Sequence, residues 1–272
     1  MIIGHKKQWD FVSSHLSRVY LFSGPEEVGK KHLALELAKE IFKTDIKNHP
    51  DVLQVSPAEG EIQISQIRSI QEFLNLKPYY GPLKIVIVDS AELMNQAAQS
   101  CFLKTLEEPK GSALIILISS RPQMLLGTII SRCQPVKFYN VSQKEMKKHF
   151  PDVFELADGK PGRAIKLDLS QEKEFLGSIT AVFSKSLSEK FQFVKNIPEG
   201  KFQEVLHGAR KYLRYLLLLK IGAVSPSPCY PLIDMPVDKI RQSLKRAEFM
   251  DYQLSTSNAS PKLALEVLLM EI

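Results

Sequence analysis

The spacing of apolar residues divides the chain into a first half of alternating strands and helices and a second half of helices. Short apolar runs bounded by polar residues predict strands, at 19–22, 51–55, 84–89, 113–119 and 136–139. Between these runs, apolar residues recur at helical spacing and predict helices, at 5–18, 30–42, 64–76 and 94–106. Alternating strands and helices are typical of a parallel sheet covered by helices, so we expect an α/β core.

After Asn140 the pattern becomes almost entirely helical. Two stretches, 142–150 and 153–167, suggest a small helical unit that glycines and a proline interrupt near residue 160. Longer helices follow, and apolar residues from Phe202 to Leu217 fit one helical face; further helices are predicted near 237–254 and 261–271. We therefore predict three parts, over residues 1–141, 142–172 and 173–272.

Composition narrows the class of protein only slightly. The 272 residues are 44% apolar and 24% charged, with a net charge of +6, which permits a nucleic-acid or acidic partner but equally fits a mildly basic solvated surface. Three dispersed cysteines, Cys101, Cys133 and Cys229, lack the close spacing of a zinc site and suit a reducing cytosol. Neither a signal peptide nor a membrane span is evident, so we expect a cytoplasmic protein without membrane association.

The first strand leads into a loop that matches the phosphate-binding pattern G-x-x-x-x-G-K at Gly24, Gly29 and Lys30. In such a loop, backbone N–H groups and a helix N-terminus point at an anion. Two features contradict tight binding of a triphosphate. Lys31 replaces the Ser or Thr whose hydroxyl holds Mg²⁺, and Glu26-Glu27 places two negative charges inside the loop. A simple strand-to-helix turn with a capping lysine is the alternative.

The apolar run at 84–89 ends in an acid, Asp89. In open α/β proteins, ligands bind at the sheet edge where such strands end. Asp89 is either the remnant of an acid that holds Mg²⁺ or a helix-capping residue. The next residue, Ser90, lacks the charge needed to position or activate water for phosphoryl transfer. Ser119 and Ser120 end another strand, where they would contact a γ-phosphate or serve as ordinary loop residues.

Several motifs occur in the order found in one known family: GPEEVGK at 24–30, KIVIVD at 84–89, FLKTLEEP at 102–109, TIISRC at 128–133 and ADGKPGRA at 157–164. In these motifs the chain resembles the delta-prime family of bacterial DNA polymerase III clamp-loader subunits, members of the AAA+ superfamily. The resemblance implies an AAA+ parallel-sheet core, a small helical lid and a C-terminal helical collar that provides oligomeric contacts. Many relatives carry a four-cysteine zinc module, but 43–55 contains no cysteine, and motor subunits have Asp-Glu where this chain has Asp89-Ser90.

The resemblance also implies roles for individual residues. Arg132, between Ser131 and Cys133, would act in trans by pointing into a neighbouring subunit's ATP site, and Arg163 would be the sensor arginine of the lid. Gly24, Gly29, Lys30, Asp89 and Arg163 would form a degenerate nucleotide site that requires no cofactor or binds ATP or ADP weakly. Each arginine has an ordinary surface alternative. Lys144, Lys147 and Lys148 form a basic face that is either solvated or in contact with DNA or a partner.

We therefore expect a non-motor subunit of a clamp loader, without intrinsic ATPase activity. By the resemblance, it would join motor and clamp-opening subunits and help to load the sliding clamp at primed DNA. An ATP-hydrolysing motor subunit is the alternative, and a P-loop kinase of small substrates is a more distant one. The Lys31 and Ser90 substitutions argue against both.

Overall fold

The computed structural model describes residues 2–14, 17–107, 111–167, 169–198, 200–224, 226, 230, 232–256 and 259–272. The predicted motif residues Glu108 and Pro109 and the cysteine Cys229 lie outside these residues. The chain divides into two compact units, Met1–Leu167 and Asp168–Ile272, and each is described by itself. The predicted division at 141 and 172 into core, lid and collar stays a prediction.

The first unit alternates strands and helices, as predicted. Its strands are β1 (Val19–Ser23), β2 (Val52–Val55), β3 (Lys84–Val88), β4 (Ala113–Ser119) and β5 (Gln134–Lys137). Its helices are α1 (Lys6–Ser14), α2 (Lys30–Phe42), α3 (Ile64–Asn75), α4 (Gln96–Glu107), α5 (Gly127–Ile130), α6 (Gln143–His149) and α7 (Pro161–Lys166). Two 3₁₀ turns, Ala91–Leu93 and Pro122–Met124, follow β3 and β4.

The five strands form one parallel sheet in the order β2-β3-β4-β1-β5. Strands β3 and β4 are buried along their whole length, which explains their uninterrupted apolar sequences. Successive side chains of β3 enter opposite layers. Ile85 and Ile87 pack with α1 and α2, whereas Val86 and Val88 pack with α3 and α4. Because β3, β4 and β1 are adjacent and parallel, their carboxyl ends lie at the same edge of the sheet.

The buried side chain of Gln99 connects α4 to the segment that follows β4. The amide nitrogen of Gln99 on α4 donates to the carbonyl oxygens of Met94 and Met124, and its oxygen accepts the N–H of Leu126 at 2.8 Å. This one side chain ties α4 to the turns on both sides of it, and so sets where α5 begins.

The helical part of the first unit is shorter than the 153–167 stretch predicted from sequence. Within that stretch, the residues up to 159 form turns, and the only helix is α7. Asp158 and Gly159 both have positive φ, 53° and 71°, which is incompatible with a continuing right-handed helix. The helix starts at Pro161, which lacks the N–H that a first helical turn leaves unpaired.

The second unit is helical in its described residues, as predicted: α8 (Leu169–Phe183), α9 (Leu187–Lys195), α10 (Phe202–Lys220), α11 (Val237–Thr256) and α12 (Pro261–Glu271). Helix α10 packs against α8, α11 and α12. Its buried face includes Val205, Leu206, Ala209 and Leu213, as predicted. Tyr212 and Leu216 are also buried, whereas the predicted Phe202 and Leu217 lie at its margin.

Candidate functional site

The loop between β1 and α2 connects a strand to a helix through two glycines with positive φ, Gly24 and Gly29. Gly24 has φ of 145°, and a side chain there would collide with the carbonyl oxygen of Phe138. Gly29 has φ of 105° and precedes the first residue of α2. Both positions therefore require glycine, which confirms the local reason for the G-x-x-x-x-G pattern.

Lys30 is turned back onto this loop. Its Nζ atom donates to the carbonyl oxygens of Gly24 and Pro25, both at 2.5 Å, and its side chain is buried. Burial lowers the pKa of Lys30, although the nearby carboxylates of Glu92, Glu26 and Asp89 oppose that shift. The ammonium group is engaged by the protein's own carbonyl groups, in the place where this type of loop presents a lysine to phosphate.

Lys31 forms an ion pair with Asp89 across the site. The Nζ atom of Lys31 lies 2.9 Å from Oδ2 of Asp89, and both side chains are partly exposed. The two positions are those at which a phosphate loop and an acidic strand end would share Mg²⁺. The ammonium of Lys31 thus neutralises the acid that would hold the metal.

Glu92 is a site residue that the sequence analysis missed. Its Oε1 atom accepts the hydroxyl of Ser120 at 2.5 Å and the backbone N–H of the same residue at 2.9 Å. Burial raises the pKa of the Glu92 carboxyl, but hydrogen bonds from Ser120, from the Glu92 backbone and from Ser119 together outweigh burial, so the pKa is lowered. Its Oε2 atom is buried without a hydrogen-bond partner in the described part of the chain. An acid three residues after Asp89 was the available signal, yet it resembles any polar residue of a turn.

The segment that contains α7 closes over the loop. The backbone N–H of Gly162 donates to the carbonyl oxygen of Glu27 at 2.8 Å, and Lys166 Nζ lies 2.7 Å from Glu27 Oε1. Glu27 itself has φ of 61°. The predicted sensor Arg163 lies on α7, but the residues of this helix that line the cavity are Gly162 and Lys166.

These residues surround a cavity of about 410 Å³ at the carboxyl ends of the strands. Its charged lining consists of Glu26, Glu27, Asp89, Glu92, Lys30, Lys31 and Lys166. Each of the three lysines is already bonded to a loop carbonyl or a carboxylate. Lys31 also places a cation at the position where the hydroxyl of a Ser or Thr would bind Mg²⁺. The donor set therefore does not fit a Mg²⁺-bound triphosphate. No group of His, Cys, Asp and Glu residues in the described ranges could hold a metal ion.

Arg132 lies away from this cavity, just after α5. The Nη2 atom of Arg132 lies 2.6 Å from Oε1 of Glu107, the last residue of α4, and Nη1 donates to the carbonyl oxygen of Thr128 at 2.9 Å. The Arg132 side chain is 35% exposed. Arg132 is therefore an exposed residue that follows a short helix, and its ion pair with Glu107 was not foreseen from the sequence.

Cys133 anchors the segment that carries Arg132. Its side chain is buried, its Sγ atom donates to the carbonyl oxygen of Ile129 at 3.1 Å, and burial raises the pKa of the thiol to about 12. A thiol with this pKa is not a nucleophile at neutral pH. The buried side chain of Cys133 therefore holds the segment against the core, while the side chain of Arg132 is exposed.

The comparisons with known proteins agree with this fold. A family model described as DNA polymerase III, delta subunit, matches residues 7–142. The delta' subunit of DNA polymerase III from Bacillus subtilis is 34% identical over 148 residues, covering 48% of this chain and 45% of that protein. The delta' subunit from Pseudomonas aeruginosa is 33% identical over 136 residues, covering 43% and 42%. The match thus spans less than half the length of either relative.

Two further similarities extend beyond the core. The replication factor C small subunit of Methanothermobacter thermautotrophicus is 28% identical over 222 residues, covering 74% of this chain and 67% of that protein. A solved gamma subunit-related protein of DNA polymerase III from Thermotoga maritima has a TM-score of 0.57 at 24% identity, covering 98% of this chain and 97% of that one. At that identity the structural match supports the fold alone, a parallel α/β core followed by helices. No helix in the described ranges is long and apolar enough to cross a membrane.

Proposed function

Because the chain belongs to the family described as DNA polymerase III, delta subunit, whose model matches residues 7–142, we propose that it is a non-motor subunit of a clamp loader. In this role it assembles with motor and clamp-opening subunits in the cytoplasm. It supports the ATP-dependent loading of a sliding clamp onto primed DNA, and the clamp and DNA are partners of the complex. Its own nucleotide site requires no cofactor and binds ATP or ADP weakly at most.

The observation that carries this proposal is the placement of Arg132. It is an exposed arginine on a segment held by the buried Cys133 and by the hydrogen bond to Thr128. A guanidinium stays charged and presents a planar set of donors, so it can stabilise charge that develops on a phosphoryl group during transfer. An arginine supplied in this way accelerates GTP hydrolysis by about 10³–10⁵-fold in GTPases. We infer that Arg132 does the same for ATP bound to a neighbouring motor subunit.

The internal pairing of charges around the phosphate loop supports the non-motor role. A motor subunit needs a hydroxyl for Mg²⁺ and a residue that positions water, and this chain has Lys31 and Ser90 at those positions. Glu27 is paired with Lys166, and Lys31 with Asp89. A triphosphate would have to displace both pairs and approach the carboxylates of Glu26 and Glu92.

The test is a reconstituted loader in which ATP hydrolysis stimulated by the clamp and DNA is measured. Arg132→Ala lowers the turnover at one interface, and Arg132→Lys does not restore it because a compact ammonium lacks the planar fork. Lys148→Ala, on the exposed face of α6, removes the same charge as a control. Equal turnover for the Arg132→Ala and Lys148→Ala complexes, with assembly shown by sizing, would refute the trans-acting role.

The loop geometry at Gly24, Gly29 and Lys30 favours one alternative, an ATP-hydrolysing motor subunit. Hydrolysis by the isolated chain separates the two functions. The non-motor subunit shows no activity above background, whereas turnover of about 1 s⁻¹ or more that Lys30→Ala abolishes would establish the motor.

A further inference from the structure

Glu107 holds the guanidinium group of Arg132 from a different helix. Glu107 is the last residue of α4, and Arg132 follows α5. The carboxylate contacts Nη2 at 2.6 Å, while the Thr128 carbonyl accepts from Nη1 at 2.9 Å. The two contacts reach the guanidinium at separate nitrogens, so together they fix both its position and the plane of its donors.

Stability does not account for an acid at this position. A carboxylate in the last turn of a helix faces the negative end of the helix dipole, which is the unfavourable end for an anion. The Glu107 side chain is 49% exposed, and ion pairs at such exposure contribute little to stability because water and salt screen them. The pair therefore does more for the orientation of Arg132 than for the fold.

Orientation matters for an arginine that acts on another subunit. A free arginine side chain has considerable rotamer entropy, which binding must remove unless the side chain is already ordered. A guanidinium carries five N–H donors, so the contacts with Glu107 and Thr128 leave donors that can engage a phosphate.

We propose that Glu107 is a positioning residue, which holds Arg132 in the orientation that donates to the ATP of a neighbouring subunit. This proposal rests on the proposed function of Arg132 and adds a second residue of this chain to it. Glu107 touches no phosphate, and its effect passes entirely through the guanidinium group.

The experiment uses a reconstituted loader whose motor subunits carry alanine in place of their own trans-acting arginines, so that the interface formed by Arg132 alone remains active. Wild type, Glu107→Gln, Arg132→Ala and the double variant are compared for kcat and for KM of ATP. Glu107→Gln keeps the shape of the side chain and removes its charge. Glu40→Gln is the matched control, because Glu40, like Glu107, is an exposed glutamate in an ion pair, in its case with Lys43.

We expect Glu107→Gln to lower kcat by roughly tenfold, within the effect of a misplacement of about 1 Å, while KM for ATP and assembly by sizing stay unchanged. In the Arg132→Ala background the same substitution has no further effect, because nothing remains to be positioned. Glu40→Gln behaves as wild type.

The possible results distinguish the positioning role of Glu107 from the proposed function of Arg132, on which that role depends. If Arg132→Ala leaves kcat unchanged, the proposed function itself fails. If Arg132→Ala lowers kcat and Glu107→Gln does not, or raises it, only the positioning role is overturned. An equal loss from Glu107→Gln with and without Arg132 would show that Glu107 acts on the fold or on assembly, and would also overturn the proposal.

Discussion

The backbone N–H of Gly162 donates to the carbonyl oxygen of Glu27 at 2.8 Å, which bonds the α7 segment directly to the phosphate loop. The approach is close enough that a Cβ atom at residue 162 would lie 2.9 Å from that oxygen and 3.2 Å from Glu27 Cα. Closure over the loop therefore depends on a backbone contact and on the Lys166–Glu27 pair, both of which involve the loop itself.

Gly162→Ala should detach this segment from the loop. Overpacking at such a contact costs about 1–3 kcal/mol, so hydrogen–deuterium exchange of peptides covering 160–167 should become about tenfold faster or more. Gly177→Ala on α8 is the control, since no atom lies within 4 Å of its Cβ position. Unchanged exchange in the Gly162→Ala protein would mean that the segment is held by other contacts.

Removing negative charge from the loop should strengthen nucleotide binding. Glu26→Gln combined with Glu27→Gln removes two charges near the phosphate position and releases Lys166 from its pair, so ATP should bind more tightly by about 1–2 kcal/mol. Lys31→Thr should introduce Mg²⁺ dependence, because it supplies the missing hydroxyl and releases Asp89. Calorimetric titration measures both changes.

A matched control for the loop substitutions removes two exposed charges elsewhere in the first unit, through Glu40→Gln and Glu72→Gln, and should leave ATP affinity unchanged. Tight, Mg²⁺-dependent binding to the unaltered chain would contradict this account of the loop.

Asp51 should be among the most sensitive positions for stability. Its side chain is fully buried, accepts the backbone N–H groups of Tyr79, Tyr80 and Gly81 at 2.7–3.1 Å, and lies 3.9 Å from the buried Nζ atom of Lys84. Asp51→Ala leaves these donors and the lysine charge without their acceptor, so the free energy of unfolding should fall by about 3–5 kcal/mol. Asp45→Ala, at an exposed position, should change it by less than about 0.5 kcal/mol.

The pKa of Asp51 predicts how the free energy of unfolding depends on acid pH. Burial opposes ionisation of Asp51, but the three N–H donors and Lys84 outweigh it, so its pKa lies below the usual 3.8. Its contribution is present above pH 3.8 and is lost as pH falls through the lower, folded-state pKa. In urea unfolding, the difference between wild type and Asp51→Ala should therefore shrink only in strong acid. A difference that already disappears near pH 5 would exclude a lowered pKa.

His5 should make stability depend on pH near neutrality. Its Nε2 atom lies 2.9 Å from the carbonyl oxygen of Val28 in the phosphate loop, and the ring is buried against Phe138. Burial lowers the pKa of His5 below 6.5, although the Val28 carbonyl opposes this shift. The unfolded chain therefore binds a proton more readily, and stability falls as pH falls from 6.5 through the folded-state pKa. His5→Gln retains an N–H donor without this titration.

The measurement for His5 is the melting temperature of both proteins between pH 7.5 and 5.5. As the pH falls over this interval, the melting temperature of wild type should decrease more than that of His5→Gln. Parallel curves would show that His5 does not titrate differently in the folded chain.

The sheet could be predicted from sequence because its signals are local. The runs KIVIV and ALIILIS are buried on both faces of the central strands, and apolarity alone identifies such strands. Gly24 and Gly29 were likewise predictable, because the backbone conformations they adopt are ones that other residues avoid.

The pairings within the site could not be predicted in the same way. Lys31 and Asp89 were each recognised as unusual, but nothing in the sequence states that they meet across 58 positions. Glu107 and Arg132 pair through the packing of α4 against α5, which depends on the buried contacts of Gln99. Glu92 was missed because its hydrogen-bond partner, Ser120, lies at the end of another strand, 28 positions along the chain.

The paired charges around the phosphate loop also constrain how this sequence can evolve. Lys31→Thr alone leaves Asp89 without its cation, and Glu27→Gln alone leaves Lys166 without its anion. Because residues in contact have non-additive effects, the cost of changing one member of a pair depends on whether its partner has also changed. Selection acting on single mutations therefore tends to keep both members of each pair together.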